Sequence, residues 1–96
     1  MKISRLIPGE VIKSKNTNHY GIITCVNWDP LCNSDRYPYI EMLWETGEFT
    51  HGFFICWLED PDYDGLEFTE IMVPIEKLHI LTKNNVKEII DGVISR

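Results

Sequence analysis

The sequence predicts a mainly β fold: a small barrel of five to six short strands followed by one C-terminal α-helix. Three observations predict it. Runs rich in β-branched and aromatic residues recur between turn signals from Glu10 onward. Apolar residues alternate along Tyr39–Trp44 with the period of two that a half-buried strand requires. After Asn85 the apolar period changes to the three-and-four spacing of an amphipathic helix. The 96 residues suffice for one modest core and not for two. A single domain is therefore expected over 1–96, with the barrel at about 6–81 and the helix at about 83–95.

Each element has a local reason. Pro8-Gly9 is a turn signal that opens a strand at Glu10–Lys13, and Ser14–Asn18 reads as a polar loop. Tyr20–Trp28 reads as a long strand, ended by Asp29-Pro30 because proline cannot donate to a ladder. A loop covers 29–38. In Tyr39–Trp44, Ile40, Met42 and Trp44 make one fully apolar face. Glu45-Thr46-Gly47-Glu48 is a tight turn in which Gly47 is free to take positive φ. Phe49–Leu58 returns antiparallel, with Gly52 marking a bulge or a bend. An acidic loop runs from Glu59 to about Glu70, then Ile71–Val73 is a short strand. Pro74–Leu78 suits a single 3₁₀ turn, and His79–Leu81 a last short strand. Val86, Ile89, Ile90, Val93 and Ile94 form one helical stripe. Asn85 with Glu88 three residues on suits a capping box, and Thr82 is the rival cap. So short a helix needs a surface to pack on, either its own barrel or another chain.

Charge is unevenly placed. The net charge is −6, yet no Lys or Arg lies between Tyr37 and Glu76, where ten acids fall. This block argues against phosphate-backbone binding, which needs clustered cations, so no nucleic-acid partner is expected. It favours a basic partner or a cation, against the plainer reading of a solvated acidic face that keeps a small protein soluble. The longest apolar run, Phe53–Leu58, is too short to cross a membrane, so no membrane association is expected. Met1–Ile12 is not a signal peptide, because Ser4, Arg5, Pro8 and Glu10 break its apolar run. The expected compartment is the cytoplasm. Cys25, Cys32 and Cys56 then read as free thiols.

Four constellations bear on chemistry. Asp60-Pro61-Asp62-Tyr63-Asp64-Gly65 opens like a calcium loop, with carboxylates at alternate positions and a glycine for the turn. The pattern then breaks, because the position of the bidentate glutamate holds Ile71. No cofactor is expected, with Ca²⁺ on Asp60, Asp62 and Asp64 as the alternative. Zinc on Cys25, Cys32, Cys56, His19 and His51 lacks the close cysteine pair that structural sites use. His51 and Cys56 are five residues apart, which puts them on opposite faces of a regular strand, so they do not make a nucleophile pair. No nucleophile elbow or phosphate loop occurs, and no enzyme activity is expected. The remaining feature is an excess of aromatics over what one face of each strand needs. Either both sheet faces are covered or one is a contact surface.

The order of Gly9–Ile12, Tyr20–Thr24, Ile40–Gly47 and Pro74–Leu81 resembles that of small SH3-like barrels, Tudor- and KOW-type domains among them. The resemblance is closest to the short accessory proteins of tailed bacteriophages. It covers roughly 9–81, and the chain departs from it in long loops at 29–38 and 59–70 and in the added helix. Such barrels are mainly binding modules. The resemblance implies binding more than catalysis and carries over no specific ligand. Joined to the acidic block, it leads to the expectation of a non-catalytic viral protein that binds and modulates a basic host protein in the host cytoplasm. Tudor-like barrels hold cations in aromatic cages, which here would be Tyr37, Tyr39 and Tyr63 beside Asp62 and Asp64. The expected contact residues are Tyr37, Tyr39, Phe53, Trp57, Asp60, Asp62, Tyr63, Asp64 and Glu67. The alternatives are a structural component of a virion or other assembly, including a homo-oligomer, and a KOW-type nucleic-acid-associated protein.

Overall fold

Among the described residues five strands follow one another: β1 (Glu10–Ser14), β2 (Tyr20–Asn27), β3 (Tyr39–Trp44), β4 (Phe49–Phe53) and β5 (Leu66–Met72). A single helical turn, α1 (Ile75–Leu78), and the C-terminal helix α2 (Val86–Ile94) come after them. This computed structural model describes residues 7–27, 39–53 and 66–94, with the backbone alone at Phe53 and Phe68. Expectations that fall on 28–38 and on 54–65 lie outside the described residues.

The strands form one antiparallel sheet in the order β4-β3-β2-β1-β5. The first four make a meander, and β5 returns to pair with β1. The result is a curled, open half-barrel with a helix at its C-terminal end, the mainly β class that the sequence predicts.

Local chemistry sets the corners. Glu10 N–H donates to Ile7 C=O at 3.2 Å across Pro8-Gly9, and Gly9 has φ +99°. That is a type II turn, with proline pre-set at its second position and glycine at the one that requires positive φ. Asn18, at φ 61°, closes the β1–β2 connection. Gly47, at φ 90°, closes β3–β4 as expected.

Two irregularities curl the sheet. In β2, Ile23 pairs with Met42 and Cys25 with Glu41, so Thr24 is an extra residue. In β5, Phe68 pairs with Ile12 and Met72 with Glu10, so Thr69 and Glu70 are extra, and Glu70 takes φ 64°. Each bulge is pinned by a threonine. Thr24 Oγ1 donates to Glu41 C=O at 3.2 Å, and Thr69 Oγ1 donates to Val11 C=O at 2.9 Å. Bulges of this kind bend a strand and increase its twist. Gly52, by contrast, sits in unbroken register opposite Ile40, so it marks no bulge.

Both faces of the sheet bury apolar residues. One face packs Val11, Ile22 and Leu43 under Val86, Ile89 and Ile90 of α2. The other buries Ile12, Ile23, Ile40 and Met42, with Trp44 and Leu66 against them. The helix stripe is therefore spent on the chain's own core, which resolves what it packs on.

Several boundaries differ from expectation. The acidic loop ends by Leu66, where β5 begins, because the two inserted residues hide that strand's alternation. Pro74 C=O accepts from both Lys77 and Leu78 N–H, at 2.9 and 3.1 Å, so the turn is α-helical as much as 3₁₀. His79–Leu81 is not a strand. Ile80 and Leu81 N–H donate back to Lys77 and Leu78 C=O at 3.3 Å each, which continues the turn. Asn85 is not the cap; the rival, Thr82, is. Thr82 Oγ1 accepts from Asn84 N–H at 3.2 Å, and Asn85 Oδ1 accepts from Thr82 N–H at 2.7 Å, the reciprocal exchange of a capping box. Asn85 Nδ2 also donates to Ile80 C=O at 2.8 Å, which ties the helix to the preceding turn.

Gly92 lies in α2 with open space where a Cβ would stand. A helical glycine costs about 1 kcal/mol relative to alanine. Gly92→Ala is expected to raise stability by about 0.5–1 kcal/mol, read from the urea midpoint. A loss of stability would mean that this helix face is covered.

Candidate protein-contact surface

Trp44 N–H donates to Glu48 C=O at 2.8 Å, which makes Trp44 and Glu48 a hydrogen-bonded pair. Pairs alternate along an antiparallel ladder, so Leu43/Phe49, Glu41/His51 and Tyr39/Phe53 are the non-hydrogen-bonded pairs, whose side chains lie closest. Leu43, Phe49, Glu41, His51 and Tyr39 share the sheet face that α2 covers at Leu43. The face runs out from that covered core across Phe49, which is 52% exposed, and His51, which is exposed.

These rings contact one another. Tyr39 Oη and His51 Nδ1 are hydrogen-bonded at 2.7 Å, the donor depending on the histidine tautomer. The His51 ring lies 6.0 Å from that of Tyr39 and 5.7 Å from that of Phe49, tilted in both cases. Glu41 stands between Cys25 of β2 and His51 of β4 on the same row.

The outer edge of this face is strand β4. In the non-hydrogen-bonded positions Phe49, His51 and Phe53 the amide and carbonyl groups point away from β3. Among the described residues no strand pairs with β4 on that side. Such an edge is a template for another extended chain.

The acids of the hairpin have different roles. Glu45 is 7% exposed in its side chain, and its Oε2 accepts from Tyr20 N–H at 2.6 Å. Glu45 N–H in turn donates to Tyr20 C=O at 2.8 Å. His19 Nδ1 lies 3.9 Å from the same carboxylate oxygen. Glu45 therefore extends the β2–β3 ladder. Glu48 is exposed and Glu41 half-buried. No Lys or Arg occurs anywhere in β3, β4 or their turn.

Of the expected contact residues, Tyr39 and Phe53 are brought together as a cross-strand pair. Glu67 is far along the sheet, on the opposite edge strand and directly across from Lys13. It does not join them. Tyr37, Trp57, Asp60, Asp62, Tyr63 and Asp64 lie outside the described residues, and with them the candidate calcium ligands and the aromatic cage. Phe49 and His51 belong to the surface but were not expected in it. The signal was present: Phe49, His51 and Phe53 alternate, and hairpin register sets them against Leu43, Glu41 and Tyr39. Cys25 is a half-buried free thiol. Among the described residues no three of His, Cys, Asp and Glu gather as metal ligands would, and no helix is long and apolar enough to cross a membrane.

Searches against protein-family models, curated proteins and solved structures find no match to this chain.

Proposed function

We propose that this chain is a non-catalytic protein-binding module that takes an extended, basic segment of another protein along the edge of β4. The exposed rings of Phe49 and His51 on the outer strand β4, continued by half-buried Tyr39 of β3, are the observation that carries this reading. Main-chain groups of Phe49, His51 and Phe53 supply the hydrogen bonds, and the rings pack against alternate side chains of the incoming strand. Glu41, on the same face as the ring row and with no cation on the hairpin, selects lysine and arginine in the partner and speeds encounter. In its fuller form the reading makes the chain a phage accessory protein and the partner a host protein that it modulates. The order of its segments and its acid excess support that form.

The test uses defined peptides on the isotope-labelled protein. A short peptide of alternating lysine and valine is expected to move the amide resonances of Phe49, His51 and Phe53. Its glutamate–valine counterpart is expected to leave them in place. Phe49→Ala should weaken the lysine peptide at least about tenfold, which is about 1.4 kcal/mol, with folding unchanged because Phe49 is half exposed. Binding should also weaken as salt rises. Unmoved edge amides, or equal binding of both peptides, would overturn the proposal.

A further inference from the structure

The β1–β2 and β3–β4 turns meet at one end of the sheet and flank a half-open cavity of about 220 Å³. Its lining is Ser14, Thr17 and His19 from one turn, and Trp44, Thr46, Glu48 and Thr50 from the other hairpin. Thr50 and Trp44 belong to the opposite side of the sheet from Phe49 and His51, so this is a different surface from the one above.

The aromatic wall is fixed. Trp44 Nε1–H donates to Thr50 Oγ1 at 2.9 Å. Behind it, the ring lies on Gly21, where a Cβ would stand 2.8 Å from the ring carbons. Only a strand residue without a side chain permits that approach.

The hydroxyls are oriented as well. Thr17 Oγ1 accepts from His19 N–H at 3.3 Å, and Thr46 Oγ1 accepts from Glu48 N–H at 3.4 Å. Thr50 Oγ1 accepts from the indole. A hydroxyl has one proton to give and two lone pairs. Three threonine oxygens are thus held by accepted bonds, and their protons have no acceptor among the described residues. Glu48 adds a carboxylate that can only accept, and His19 adds an imidazole.

This set selects a ligand by exclusion. An anion would meet Glu48. A cation would find one carboxylate, Glu48, and a single aromatic wall rather than a cage, with Lys15 in the β1–β2 turn that forms the other wall. A purely apolar molecule would leave the hydroxyl protons without acceptors, which burial penalises. A neutral ring with hydroxyls that both give and accept, and one face of C–H groups for the indole, fits every wall. The volume is below the roughly 300 Å³ at which pockets for drug-sized molecules begin, which suits a single ring. We infer that this cavity is a binding site for one neutral pyranose unit of a carbohydrate, seated against Trp44. The site does not depend on the protein-binding reading.

The test is a titration of the whole labelled chain with methyl α-glucopyranoside, methyl β-galactopyranoside and maltotriose, followed at the Trp44 indole N–H. Butylammonium chloride is the counter-probe. One glycoside is expected to shift the indole resonance and the amides of Thr17, Thr46 and Glu48, with a dissociation constant on the order of 1 mM. Thr46→Val and Glu48→Gln, both in an exposed turn, should each weaken it several-fold while leaving the unliganded indole resonance in place. Tighter binding of maltotriose would identify the source as a polysaccharide, and equal binding as a free sugar. An indole resonance unmoved by every sugar to about 50 mM, or moved more by butylammonium than by sugar, would overturn the inference.

Discussion

Ile90→Ala is expected to lower the stability of this domain by about 3 kcal/mol. Ile90 is fully buried, at the centre of the stripe that α2 lays on Val11, Ile22 and Leu43. Truncation removes apolar contact and leaves a void that a sheet on one side and a helix on the other cannot easily close. A domain of this size has about 5–15 kcal/mol in total, so the loss is a large share. The melting temperature should fall by about 15 °C, and the urea midpoint with it. Val93→Ala, on the half-buried margin of the same stripe, should cost clearly less. A loss below about 1 kcal/mol for Ile90→Ala would mean that α2 does not seal this face.

Gly9→Ala should cost about 2–4 kcal/mol, from two separable causes. The first is backbone strain at φ +99°. The second is collision, since the new Cβ would stand 3.0 Å from Val73 C=O, a main-chain atom that cannot swing aside. Gly9 also joins two strands. Its N–H donates to Ile23 C=O at 2.7 Å, and its C=O accepts from Val73 N–H at 2.8 Å. Gly47→Ala is the control. It has φ +90° but meets nothing nearer than Lys83 C=O at 3.5 Å. It carries the strain without the collision and should cost about 1–2 kcal/mol. Equal losses at the two glycines, measured by urea unfolding, would remove the collision from the account.

Legibility in the sequence followed the range of the signal. Tyr39–Trp44 and its turn to Phe49 were readable to the residue, because alternation and a glycine turn are local. The helix stripe was readable for the same reason, and all five of its members pack in the core. What failed was parity. Ile22-Ile23-Thr24-Cys25-Val26 is apolar or β-branched throughout, so nothing in it marks Thr24 as extra. Thr69-Glu70 breaks the alternation of β5, which made the strand read as loop. Asn85 has a capping residue's chemistry but bonds backwards, a choice that tertiary geometry makes. The contact surface was half legible. Tyr39 and Phe53 were named, whereas Phe49 and His51 required the hairpin register. The cavity beside Trp44 draws on two turns about thirty residues apart, and no spacing rule links them.

The two threonine-pinned bulges separate pairing from shape. Removing Thr24 would leave Ile23 opposite Met42 and Cys25 opposite Glu41, with every side chain still facing its present side. Removing Thr69 and Glu70 would likewise keep Phe68 on Ile12 and bring Ile71 opposite Val11 without inverting either strand half. The chain therefore writes its curvature as added length, in places where length can change without rewriting the core. Short insertions and deletions at these two points would widen or narrow the opening between β4 and β5 across a lineage. Substitution alone, confined to fixed lengths, would have to disturb packed residues to do the same.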